Sequence, residues 1–130
     1  MNEAYLETYF IPSFDRDQVP DHAYIITAYN PMDEKLPDDE NNSRNQTLLD
    51  KIKSYGIECL PIIGCSKDIS HQEPSFLINS SKDQAILWAN EFNQRAIFEI
   101  KNNELFIISC KQLEKTISVG PFLDRWIERP

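Results

Sequence analysis

"AYIITAYNP" (residues 23–31) is a run of β-branched and aromatic residues cut short by Asn30-Pro31. Such side chains fit a packed, pleated surface, and proline cannot donate to a strand ladder, so the run predicts a buried strand over about residues 23–29. The next segments decide the fold class. "MDEKLPDDENN" is polar, acidic and interrupted by Pro37, which predicts a long surface loop. A helix comes next. Ser43 with Gln46 has the spacing of a capping box, and Asp38, Asp39 and Glu40 favour the positive end of a helix. Leu48, Leu49, Ile52 and Tyr55 form one apolar face, and Gly56 is a natural stop.

Working outward, "IECLPIIG" predicts a strand, with Pro61 arguing for an edge position or a bulge. "GCSKDISHQEP" is a loop and "SFLIN" a short strand. Ser81 and Gln84 offer a second capping box before a helix whose face is Ala85, Trp88, Ala89 and Phe92. "RAIFEI" and "ELFIISC", joined by "KNN", predict a hairpin. A helix is expected near the N-terminus, where Tyr5, Tyr9 and Phe10 read as core. Phe122, Leu123, Trp126 and Ile127 suit a short helix in the tail. The order is β-α-β-β-α-β-β. It predicts an α+β fold with a ferredoxin-like β-α-β-β-α-β core, an extra C-terminal strand, a mostly antiparallel sheet and helices on one face.

The chain has 130 residues, enough for one domain over 1–130 with a single core. Apolar residues are 41% and charged residues 26%, ordinary for a globular chain. The net charge of −8 argues against nucleic-acid binding, which needs clustered cations. With only three glycines there is no phosphate-cradling loop. No stretch resembles a signal peptide or a membrane span, so the expectation is a cytoplasmic protein, a monomer or weak dimer, without cofactor or metal. Cys59, Cys65 and Cys110 lack metal or redox spacing. Cys59 and Cys110 are expected buried, without disulfides, and Cys65 exposed in a loop.

"ITAYNP", "ENNSRN", "EPSF", "FNQRAIFEI" and "LFIISC" together resemble, in order and spacing, the bacterial domain-of-unknown-function family numbered 3293. The resemblance covers about residues 5–110 and leaves 111–130 as a C-terminal extension. It implies a small bacterial protein without an assigned activity. It also implies a polar signature on Thr27, Asn30, Pro31, Glu40, Asn41, Arg44, Asn45, Glu73 and Gln94, with His71 just outside it.

Chain direction alone gathers these residues. If the first strand runs up, its helix starts at the top, and the 64–74 loop and Gln94 return there too. That end is the candidate site for a polar ligand or protein partner: Thr27, Asn30, Glu40, Asn41, Arg44, Asn45, Glu73 and Gln94. Each has a structural alternative. Asn30 can cap a turn, Glu40 and Asn41 can cap a helix, Arg44 can be salt-bridged, and Gln94 can satisfy carbonyls. Glu73, expected to face Arg44 or the Asn30 turn, is the candidate catalytic base, with His71 a weaker one.

Three functions are consistent with these residues. One is a binding domain. Another is an immunity-type inhibitor that blocks a cationic toxin with the acidic 33–40 stretch. A third is a hydrolase or transferase using Glu73. An apolar cleft at Glu73 would favour the third, and a flat acidic face the second.

Overall fold

The computed structural model describes residues 3–112 and 115–129. Helix α1 is a single turn at Glu3–Leu6, α2 covers Asp38–Ser54 and α3 covers Lys82–Glu91. The strands are β1 Tyr9–Pro12, β2 His22–Ile26, β3 Cys59–Cys65, β4 Gln72–Ile78, β5 Ala96–Lys101, β6 Glu104–Ser109 and β7 Thr116–Pro121. All seven join one antiparallel sheet in the order β1-β3-β4-β2-β5-β6-β7. The fold is α+β, with the sheet curled into a half-barrel. Among the described residues no helix is long and apolar enough to cross a membrane.

The central strand explains the layering. Successive side chains of a strand point to opposite faces, and β2 is apolar on both. Tyr24 and Ile26 join a core with Leu48 and Ile52 of α2 and with Ala85, Trp88 and Ala89 of α3. Ala23 and Ile25 join a second core with Phe10, Leu77, Ile100, Leu105 and Phe122. The sheet curls around this second face. The C-terminal segment crosses it to reach β1, where Trp126 bridges Phe10 and the Ile127 N–H donates to the Phe10 carbonyl at 2.8 Å. Arg125 ties the same segment to the carbonyls of Leu6 and Thr8, both at 2.9 Å.

Several local expectations are corrected. α2 begins at Asp38 after Pro37, so Ser43 and Gln46 lie within the helix and form no cap. The acidic first turn suits the helix dipole, and Pro37 blocks an earlier start. Ser81 does cap α3, accepting from the Gln84 N–H at 3.1 Å. β3 is an interior strand, yet β1 pairs with it only from Cys65 to Ile62, so Pro61 stands just past that pairing at a locally open edge, as its ring suggested. The N-terminal segment is one helical turn and a strand. The tail holds strand β7 and a 3-10 turn at Phe122–Arg125 in place of the expected helix. Leu113, Glu114 and Pro130 of that tail lie outside the described residues. Cys65 is buried and Cys59 only half-buried, the reverse of expectation, while Cys110 is buried. All three are free thiols.

Phe122 is wholly buried in the second core. Phe122→Ala should cost about 3–5 kcal/mol of unfolding free energy by urea titration. A loss below about 1 kcal/mol would mean that the C-terminal segment does not pack as described.

Candidate functional site

The pairing of β2 with β4 runs through Tyr24↔Ile78, Ile25↔Leu77 and Ile26↔Phe76. In the same register Ala28 would next meet Pro74, which has no N–H to give. α2 supplies the missing groups. Asn45 Oδ1 accepts the Ala28 N–H at 2.8 Å, and Asn45 Nδ2 donates to the Pro74 carbonyl at 2.8 Å. Arg44 Nε donates to the Ala28 carbonyl at 2.8 Å. Thr27 Oγ1 adds a second bond to the Pro74 carbonyl, also at 2.8 Å. Two side chains of one helix thus replace the backbone partner that proline removes.

The turn after β2 is held in the same way. Asn41 Oδ1 accepts the Asn30 N–H at 2.9 Å, while Asn41 Nδ2 donates to Asn30 Oδ1 at 2.8 Å and to the Leu36 carbonyl at 3.2 Å. Asn30, Met32 and Asp33 have positive φ, and asparagine and aspartate adopt that region more readily than most. Gln94 Nε2 donates to the carbonyls of Tyr29 and Phe92. A second nitrogen of Arg44 reaches Phe92 as well, at 2.5 Å. Glu40 lies exposed in the first turn of α2.

The eight residues singled out from the sequence therefore meet at one end of the sheet but divide between its faces. Asn41, Arg44 and Asn45 turn inward from α2 and hold backbone. Thr27, Asn30, Glu73 and Gln94 line a half-open cleft of about 680 Å³. The expected pairing of Glu73 with Arg44 does not occur. Arg44 is committed to carbonyls on the helix side, and Glu73 takes its hydrogen bond from His71, at 3.2 Å.

The cleft is the unfilled end of the second core. Strand alternation puts Leu77, Ser75 and Glu73 of β4 on the face that carries Ile25. Gly64, Ser75 and Ala96, all small, leave room there, while Phe10 and Phe98 supply an apolar floor. The N-terminal segment forms a wall. Tyr5 lies 6.3 Å from the Phe98 ring, and its hydroxyl donates to Asp33 Oδ1 at 2.8 Å. Arg95 pairs with the other Asp33 oxygen at 3.0 Å. Tyr5, expected in the core, Asp33, expected in an acidic surface stretch, and Lys67 and Arg125, not singled out from the sequence, all belong to the cleft. Only their contact with distant segments marks them, and no local spacing carries that.

Glu73 is the electrostatic centre of the cleft. Its side chain is 31% exposed. Burial pushes its carboxyl above the ordinary glutamate range, the His71 hydrogen bond pulls it back, and the Asp33 charge raises it further. Burial and the Asp33 contact likewise push the Tyr5 hydroxyl upward. Such a carboxyl can hold a cation or move a proton at the ligand. Among the described residues no three His, Cys, Asp or Glu side chains group closely enough to hold a metal ion.

One family model, described as a protein of unknown function (DUF3293), matches residues 26–97, more than half of the chain, and the chain belongs to that family. No curated protein and no solved structure matches it. The match runs from the last residue of β2 to the start of β5 and so includes Pro74, its Asn45 and Arg44 partners and Glu73, while Tyr5 and Arg125 lie beyond it.

Two measurements check this geometry. Glu73→Gln and Arg44→Met should be additive within about 0.5 kcal/mol in urea unfolding, because they share no partner. A larger coupling would place them in one network. The other measurement is pH dependence. A carboxyl whose pKa is raised on folding holds its proton more tightly in the folded chain. Its contribution to stability therefore falls as pH rises from about 4.3 through the raised value. In a His71→Gln background, the Glu73 chain should gain stability relative to Glu73→Gln between about pH 7 and about pH 4. An unchanged difference would mean an ordinary solvated carboxylate.

Proposed function

We propose that the chain is a binding domain for a small polar ligand, seated in the cleft at the open end of the second core. The observation that supports this most is the cleft itself. It falls within the range of small-molecule sites, about 300–1,000 Å³. It joins an apolar floor of Phe10 and Phe98 to a few convergent polar groups, Thr27, Asn30, Glu73 and Gln94. Asn41, Arg44 and Asn45 support the ligand indirectly, as positioning residues, and Glu40 belongs to the rim of the same end. The reading extends to a single domain over residues 1–130 in a reducing, cytoplasmic setting, which three free thiols suit. The order β3-β4-β2-β5 at the centre of the sheet supports a ferredoxin-like core.

A second reading has one observation in its favour. Glu73 is a half-buried carboxyl with a raised pKa, hydrogen-bonded to His71 inside a cleft, which is the setting of a general base. The inhibitor reading has less. Asp33 is taken up by Arg95 and Tyr5, and Asp38, Asp39 and Glu40 are wound into α2, so the acidic stretch presents no single blade.

A Cβ added at Gly64 would sit 3.8 Å from its nearest neighbours, an ordinary contact, so a side chain there is sterically tolerated at its root and grows into the cleft. Thermal-shift screening of amino acids, amines, organic acids and sugars should find stabilisers of the wild type that fail to stabilise Gly64→Leu. No stabiliser in any class, or equal stabilisation of the filled variant, would count against the cleft as the site. Conversion of a bound molecule by the wild type and not by Glu73→Gln would put the general-base reading ahead.

A further inference from the structure

The cleft carries charges of both signs, and the placement of Glu73, Lys67 and Arg125 points to a class of ligand. On one side stands Glu73. Among the described residues its only charge partner is His71, which balances it only when the imidazole is protonated. On the other side are two cations at the Tyr9 ring, with Lys67 Nζ 6.0 Å and the Arg125 guanidinium 5.4 Å from its centroid. Arg125 is half-buried and bonds to the carbonyls of Leu6, Thr8 and Val119. These bonds use three of its five N–H donors and leave its charge unmatched. Neither cation forms an ion pair among the described residues, in a chain with 21 acidic residues against 13 basic ones. Partly desolvated charges are ordinarily paired. Half-buried Arg125 has no carboxylate partner among the described residues, exposed Lys67 adds a second cation at the same ring, and Glu73 has only His71.

The sheet register sets Glu73 apart from the strand that carries Tyr9. Glu73 of β4 lies opposite Gly64 of β3, and Gly64 lies opposite Phe10 of β1, next to Tyr9. Two strand spacings place Glu73 about 10 Å from Phe10 at their backbones, and both cations gather at the ring of the adjoining Tyr9. We propose that the cleft takes an elongated small zwitterion, its ammonium held by Glu73 and its carboxylate by Lys67 and Arg125. An α-amino acid with an uncharged side chain carries both charges on substituents of one carbon and cannot reach both sides, whereas an ω-amino acid with a flexible apolar chain can. The chain between the charges lies over the apolar floor.

This deepens the binding-domain reading and rests on it. The test is calorimetric titration of the wild type with the ω-amino acids from glycine to 6-aminohexanoate, and with hexanoate and hexylamine as one-charge analogues. Affinity should rise along the series, and 6-aminohexanoate should bind at least about tenfold more tightly than glycine or either analogue, as expected for one charge-assisted contact. Lys67→Met, chosen because Arg125 also holds backbone, should weaken 6-aminohexanoate and leave hexylamine unchanged. Glu73→Gln should weaken hexylamine and leave hexanoate unchanged. Equal affinity for hexylamine and 6-aminohexanoate, or glycine binding as tightly as the long members, would overturn the proposal. If none of the series binds but another class stabilises the wild type and not Gly64→Leu, the zwitterion falls and the cleft reading stands. If nothing binds at all, both fall.

Discussion

Pro74 is the constraint on which this end of the molecule depends. A proline inside a sheet leaves its neighbour's carbonyl without a donor and ends the ladder, and a buried unpaired group costs about 1–3 kcal/mol. The chain does not avoid the cost by placing Pro74 on an edge, since β4 lies between β3 and β2. It satisfies both backbone groups of Ala28 and the Pro74 carbonyl from α2, through Asn45 and Arg44. This seats the helix at a defined height against the sheet. It also frees the ends of β2 and β4 from each other, and those ends carry Thr27, Ser75 and Glu73 into the cleft.

The second consequence comes from β2 being apolar on both faces. One face is covered by two long helices, so the other needs a cover of its own. The described residues hold no third long helix, and the sheet uses curvature instead. The sheet folds toward itself, and the aromatic side chains Phe10, Phe14, Phe122 and Trp126 fill the space between. Phe10 packs 5.7 Å from Phe122, and Phe14 lies edge-on to Trp126. At the upper end the large residues stop and Gly64, Ser75 and Ala96 begin. The cleft is thus what remains of a core whose side chains run out, and small residues in a sheet are the signal of it.

Local pattern carries a good part of this in the sequence. The two long helices, the 96–109 hairpin and the central apolar strand are legible because period, caps and turn residues are local. The Ser81 cap and the Gly56 stop obey the same logic. β7 and β1 are not legible, because both are short and are made by pairing with distant strands. The polar signature is legible as a cluster, since chain direction alone brings it to one end. Its division between the faces is not, because that depends on which way each side chain turns. Asn45 and Arg44 differ from Thr27 and Glu73 in nothing a sequence displays. The register of β2 with β4, and the missing N–H of Pro74, commit Asn45 and Arg44 to backbone while Glu73 faces the cavity.

Asp33, Asp68 and Glu73 are also not equivalent, and the difference lies in their neighbours. Asp33 sits where the backbone holds positive φ at Met32 and Asp33, a conformation that costs roughly 1–3 kcal/mol per residue. That geometry turns its carboxylate to Arg95 on one oxygen and Tyr5 on the other, so it is spent on fastening the N-terminal wall to the rim. Asp68 is engaged within its own turn, accepting from Ser66 and Ser70, and those bonds lower its pKa to about 2. Glu73 has only a histidine. The same Asp33 that closes the wall adds to the proton affinity of Glu73, so fastening the N-terminal segment and shifting Glu73 belong to one electrostatic arrangement. On the binding-domain reading proposed above, a carboxyl left short of partners at the edge of an apolar floor would be the group through which the cleft discriminates among ligands.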